Sequence, residues 1–121
     1  MDIGTFIFAN INGILITVIG WLYMRFPPKN INPIYGYRTR RSMANQEIWD
    51  YANIVGAKMI FYLGSILLVL GTILYLLYPV DHIVMITTFG LLLGLGVGMY
   101  WCETQLNERF DKNGNPKKHP S

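Results

Sequence analysis

Ala57–Tyr78 reads AKMIFYLGSILLVLGTILYLLY, and after Pro79-Val80-Asp81-His82 the chain resumes as Ile83–Cys102, IVMITTFGLLLGLGVGMYWC. Each run matches the roughly 20 residues that an α-helix needs to cross a ~30 Å hydrocarbon core. Lys58, at the very start of the first run, is the sole charge in either. The tight proline-containing link forces the two into an antiparallel helical pair. A third apolar run, from about Ile3 to Met24, carries no charge and is interrupted mainly by Asn10 and Asn12. It is expected to be a retained span, because Met1-Asp2 offers no basic n-region and no small-residue cleavage site follows.

Composition agrees. Of 121 residues, 52% are hydrophobic and 14% charged, against roughly 25% charged in soluble domains. Disorder of the whole chain is excluded on the same grounds. Cys102 is the single cysteine, which rules out a disulfide framework or a Cys-rich zinc module. His82 and His119 stand too far apart for metal-ligand spacing. The expected fold is an all-α integral membrane protein with three transmembrane helices, spanning about 3–24, 57–78 and 83–102. Segment 25–56 connects the first two spans on the cytoplasmic side. Residues 1–111 form one membrane domain, and 112–121 are expected to be a mobile cytoplasmic tail.

Orientation follows the basic residues. Arg25, Lys29, Arg38, Arg40, Arg41 and Lys58 lie between the first two spans, and Arg109, Lys112, Lys117 and Lys118 follow the third. Those are all ten, so the N-terminus is expected outside and both the connection and the C-terminus in the cytoplasm. Trp21, Tyr23, Tyr100 and Trp101 then fall at the inner interface, Tyr75 and Tyr78 at the outer one. The net charge of +3 is explained by topology and anionic lipid, so no nucleic acid is expected as a partner.

Inside lipid, helices associate through small residues and polar contacts. Gly90, Gly94 and Gly98 line one face of the third span, with Cys102 a turn further. Asn10, Gly13, Thr17 and Gly20 line a face of the first span, and Gly64, Ser65, Gly71 and Thr72 one of the second. Packing within a three-helix bundle is the simpler reading, and homo-oligomerisation through the third span is the alternative. Asn10 is expected to hydrogen-bond a neighbouring helix, with ligand binding as the competing role.

The connection is too patterned to be a linker. Pro27-Pro28 stops the first helix, and Asn30-Ile31-Asn32-Pro33 is turn chemistry. Gly36 suits a positive φ or a close approach, and Ser42 is placed to cap a helix from Met43 towards Gly56. Asn45, Trp49, Ala52, Asn53 and Gly56 fall on one face of that helix. Run unbroken from Met43 to Tyr78, it would be about 54 Å long at 1.5 Å per residue. A bend near Gly56 is therefore expected, with a short helix lying along the interface or standing in the cytoplasm.

Together these positions, N-x3-G-x-R-T-x2-S-x2-N-x3-W-x2-A-N-x2-G from Asn32 to Gly56, resemble the SdpI/YfhL family of bacterial membrane proteins. The arrangement of one span before and two after also fits, over about Ile3 to Cys102. The resemblance implies immunity and signalling in the bacterial cytoplasmic membrane. The family's best-known member protects a toxin-producing bacterium from its own membrane-disrupting peptide, and also draws a cytoplasmic repressor to the membrane. That member is a longer chain with further helices, and many relatives carry apolar or proline residues where this chain has Arg40-Arg41. Immunity is therefore what carries over first.

Arg38 of the motif is expected to pair with a carboxylate or helix C-terminus at the cytoplasmic mouth. Glu103 is the best partner by depth, with Glu47 and Asp50 as alternatives. Arg40, Arg41 and Lys29 are read as positive-inside charges. The motif set Asn32, Gly36, Arg38, Thr39, Ser42, Asn45, Trp49, Asn53 and Gly56 reads first as scaffold. A peptide- or lipid-binding pocket built from Asn53, Trp49 and Arg38 is the functional alternative. No nucleophile–base pair, HExxH, phosphate loop or intramembrane carboxylate pair occurs, so no enzyme and no cofactor are expected. Three functions compete: immunity to a secreted peptide toxin, a small oligomeric transporter or lipid-binding subunit, and an adaptor capturing a cytoplasmic regulator. A transporter needs a polar path, for which only Asn10, Asn12 and Thr17 are available in depth.

Overall fold

The computed structural model describes residues 2–111 and 115–116. Asp2 caps the first helix, its carboxylate accepting from the Thr5 amide at 2.6 Å. That helix, α1 (Ile3–Ala9), ends at Asn10, and α2 (Ile11–Arg25) begins at the next residue with its axis turned by 69°. An irregular connection leads to α3 (Gln46–Tyr75), and a short link leads to α4 (Val80–Arg109). The fold is all-helical. α3 and α4 are each long and apolar enough to cross a membrane, and α1 with α2 makes a third span only as one bent pair. The apolar run 3–24 is thus broken at Asn10, where the sequence reading has one continuous helix. The Asn10 side chain donates to the Phe6 carbonyl at 3.2 Å, a local bond that competes with regular helix geometry.

The short helix of the sequence reading is not a separate element. Residues 46–56 are the first turns of α3, which continues through Gly56 without interruption. The start also differs. Asn45, extended at φ −158° and ψ 174°, is the N-cap, and its side chain accepts from the Ile48 amide at 2.9 Å. Ser42 lies outside the helix and closes a turn with Thr39. Gly56 is not a bend; its bare Cα makes room for Tyr37 and Tyr23, whose atoms would stand 3.1 and 3.3 Å from an added Cβ.

α2 and α3 run antiparallel and almost touch at the backbone. A Cβ on Gly20 would lie 2.6 Å from the Phe61 amide nitrogen, and one on Gly64 would lie 2.4 Å from that of Thr17. Any side chain there separates the helices, so these glycines set the spacing. The glycine face of α4 receives side chains from within the chain. Leu67, Leu63 and Met59 of α3 lie over Gly90, Gly94 and Gly98. The glycine face of α4 is thus used in packing against α3 within the chain, while the rest of α4 looks outward. Only 11% of its apolar segment is buried, against 39% in α3.

The packed core sits at one end of the bundle. Tyr37 joins Ile48, Ala52, Val55 and Met59 of α3 with Cys102, Leu106 and Phe110 at the end of α4. Beyond it Phe110 bridges to Pro116, and the Asp111 amide donates to the Asn115 carbonyl at 2.8 Å. The expected mobility of the tail falls on 112–114 and 117–121, outside the described residues.

Candidate functional site: the motif knot

The motif folds into a knot of buried polar groups where the connection crosses α2 and α3. Trp49 and Asn53, one turn apart on α3, are 0% and 2% exposed. The indole N–H of Trp49 donates to the Pro28 carbonyl at 2.9 Å, holding the Pro27-Pro28 stop against α3. The Asn53 amide group donates to the Trp49 carbonyl at 2.8 Å. Its oxygen accepts twice, from the Tyr37 backbone amide at 2.7 Å and from the Tyr23 hydroxyl. The Tyr23 oxygen in turn accepts from the Tyr37 amide at 2.8 Å. One amide side chain thus ties α2, α3 and the connection together, with each buried polar group partnered as burial demands.

Gly36 makes this possible. Its φ of 113° is the sole positive φ among the described residues, and a Cβ there would lie 2.6 Å from the Asn53 oxygen. Only glycine meets both conditions without strain. Asn32 prepares the approach, its side-chain oxygen accepting from the Ile34 and Tyr35 amides at 3.0 and 2.7 Å. Thr39 and Ser42 close the far side. The Thr39 amide donates to the Ser42 hydroxyl at 2.8 Å, and the Ser42 amide donates to the Thr39 hydroxyl at 3.1 Å. The fully buried Ser42 hydroxyl also donates to the Tyr37 carbonyl at 2.8 Å.

Two expectations about charge are corrected. Arg38 does not pair with Glu103: it is exposed, and its guanidinium donates to the Pro33 carbonyl of its own loop. Glu103 accepts instead from the Tyr37 hydroxyl at 2.8 Å. Tyr37 turns into the bundle while its neighbour Arg38 turns out, so the depth argument found the right acceptor and the wrong donor. Burial and the adjacent carboxylate push the Tyr37 phenol above its ordinary range, keeping it a neutral donor. The helix C-terminus that was expected to meet Arg38 meets Arg41. Its guanidinium donates to the Phe110 and Asp111 carbonyls at 2.7 and 3.1 Å, and to the Asn107 side chain. Both carbonyls lie just past Arg109, the last residue of α4, so Arg41 ties the connection to the chain leaving that helix.

The pocket expected from Asn53, Trp49 and Arg38 is closed. The first two are buried and committed to one another, while the third points away. Tyr23, expected as a ring at the inner interface, and Tyr37, an unassigned position of the motif, complete the knot. Their signal was the glycine at 56, which only a close approach explains.

Open space lies elsewhere. An apolar groove of about 330 Å3 between α3 and α4 is lined by Met59, Tyr62, Leu63, Ile66, Gly94, Val97, Gly98 and Trp101. A larger cleft of about 650 Å3 lies beyond the packed end, between the start of α3 and the end of α4. Glu47, Asp50 and Glu108 rim it over Tyr51, Ile54 and Phe110, and Arg109 stacks over the Tyr51 ring at 4.7 Å. Among the described residues no cluster of His, Cys, Asp and Glu could hold a metal ion.

Comparison with known proteins places this arrangement. The sequence model of the SdpI/YfhL protein family matches residues 29–101, which include the whole motif, α3 and most of α4. The chain is also similar to a protein of Bacillus subtilis (strain 168) described as "Uncharacterized protein YfhL". They are 42% identical over 64 residues, covering 53% of this chain and 58% of that protein. The match therefore spans less than two thirds of the relative's length. No solved structure matches.

Proposed function

The chain belongs to the SdpI/YfhL family, and on that premise we propose that it is a membrane immunity protein acting against a secreted, membrane-active peptide. The reading takes the N-terminus outside and the motif knot and C-terminus in the cytoplasm, as the basic residues indicate. It assigns no catalytic step and no cofactor. The observation that carries it is the division of labour between the knot and the exposed helix faces. Trp49, Asn53, Ser42 and Gly36 are used up in mutual contacts, so the motif acts as the clamp that holds α2, α3 and α4 in register. The working surface is then the apolar groove between α3 and α4, open to the bilayer where such a peptide accumulates. Filling it sideways from the lipid would keep the peptide from assembling.

The test is survival of a sensitive strain expressing the chain and challenged with the membrane-active peptide of the family's best-known system. Wild type and Arg38→Ala are expected to protect at matched membrane levels, while Val97→Trp, which fills the groove, inserts but does not protect. Protection by all three would move the working surface off the groove. Absence of protection by inserted wild type would remove immunity to that peptide.

The acidic cleft favours a second reading, capture of a basic cytoplasmic partner. Glu47, Asp50 and Glu108 around aromatic walls complement a cationic amphipathic segment. Under that reading, Glu47→Lys with Glu108→Lys abolishes the function and Val97→Trp leaves it intact.

A further inference from the structure

The end of the bundle opposite the motif contains a sharp break between α1 and α2. α2 alone has 15 residues, about 22 Å at 1.5 Å per residue. That is short of a ~30 Å hydrocarbon core. Joined to α1 as one straight helix from Ile3 to Arg25, it would reach about 35 Å, enough to cross at a tilt of about 30°. The two forms differ at Asn10, whose φ of −102° and ψ of 14° lie only about 40° and 55° from ideal helical values.

The surroundings of Asn10 favour such a pivot. Two residues along, the Asn12 side chain donates to the Thr87 and Thr88 hydroxyls of α4, at 3.0 Å each, which pins the start of α2. On the other side of the break, α1 packs Phe6 edge-on to Tyr75 with ring centroids 5.2 Å apart, and buries Ala9 beside the break. Ile3, Ile7 and Phe8 are exposed. The Asn10 side chain itself is 2% exposed, yet its oxygen has no hydrogen-bond donor. A buried acceptor without a partner penalises the bent form, so this form is not locked by its polar contacts.

We propose that Asn10 makes the first span a length-adjusting element, bent in a thin bilayer and straight in a thick one. Hydrophobic mismatch supplies the difference between the states, as an apolar helix that is too long or too short for the local core costs free energy per ångström. The proposal goes beyond the immunity reading and needs no toxin, so either can fail alone. Its bearing on immunity is direct: a peptide that disorders and thins the bilayer would shift α1.

The experiment is a spin-label distance measurement on the full chain in a Cys102→Ser background, with labels at Ile3→Cys and Leu77→Cys. The protein is reconstituted in short-chain (dimyristoleoyl) and long-chain (dierucoyl) phosphatidylcholine. Swinging an arm of about 10 Å through the observed 69° moves the Ile3 end by about 12 Å. A change of several ångström, up to about that size, in the distance between the labels is expected between the two lipids in wild type. Asn10→Ala, which replaces the competing side chain with the best helix former, is expected to give the long-chain distance in both. An unchanged wild-type distance across the two lipids would overturn the proposal, and so would an Asn10→Ala protein that still follows bilayer thickness.

Discussion

The two ends of the bundle handle buried amides in opposite ways. At the motif end, the Asn53 oxygen accepts from the Tyr37 amide and the Tyr23 hydroxyl while its nitrogen donates to Trp49. At the other end, the Asn10 oxygen is equally buried and has no donor. A satisfied buried network rigidifies, whereas an unsatisfied one weakens the state that contains it. The same residue type therefore locks one end and loosens the other. The difference lies in the partners: the connection brings the Tyr37 amide to Asn53, whereas the Asn10 oxygen is turned against Gly71 of α3 and makes no cap bond to α2.

The contrast can be broken most severely at the α2–α3 contact on which both ends depend. Gly64→Val should push α2 away from α3, because even a Cβ would lie 2.4 Å from the Thr17 nitrogen. A loss of about 3 kcal/mol or more is expected, read as unfolding at lower denaturant in detergent. Next comes Asn53→Ala, which strands the Tyr37 amide and the Tyr23 hydroxyl in the core and should cost about 2–3 kcal/mol. Asn10→Leu sharpens the comparison, since it removes an amide that has no donor to its oxygen. It is expected to change stability by less than about 0.5 kcal/mol, or to raise it; a loss as large as that of Asn53→Ala would erase the distinction between the ends.

Smaller effects separate the two arginines. Arg41→Ala should cost about 1 kcal/mol, because Arg41 holds the Phe110 and Asp111 carbonyls just past α4. Arg38→Ala should stay within about 0.5 kcal/mol, as expected of an exposed side chain. Alkaline titration gives the finest test. The Tyr37 phenol is raised from its ordinary 10.0 by burial and by Glu103, so its contribution is fully present below that pH and declines above it. Wild type should lose more stability than Tyr37→Phe on going above about pH 10.

Much of the fold is legible in the residue pattern. The apolar runs gave α3 and α4, since a membrane demands length and allows little charge. The shared face of Trp49, Ala52, Asn53 and Gly56 is buried, because helical periodicity fixes which residues face together. The connection was harder. Without a period, nothing in Tyr37-Arg38 tells which side chain enters the bundle, so the partner of Glu103 and the arginine that meets the end of α4 were assigned to the wrong residues. Ser42 and Asn45 are both good caps, and only the extended backbone at Asn45 decides between them. The break at Asn10 was hidden by composition, as uncharged Asn10 and Asn12 in an apolar run satisfy every criterion for a continuous span.

The central claim is that the family motif is a structural clamp whose members act through one another. A double-mutant cycle on Tyr23→Phe and Asn53→Ala, measured by reversible unfolding in mixed micelles, tests it most directly. The account predicts a coupling of about 1–2 kcal/mol between the two positions, with the double variant little worse than Asn53→Ala alone. Losses that add to within about 0.3 kcal/mol would contradict it. Tyr23 and Asn53 would then be independent residues, and the motif would have to be explained by what it binds.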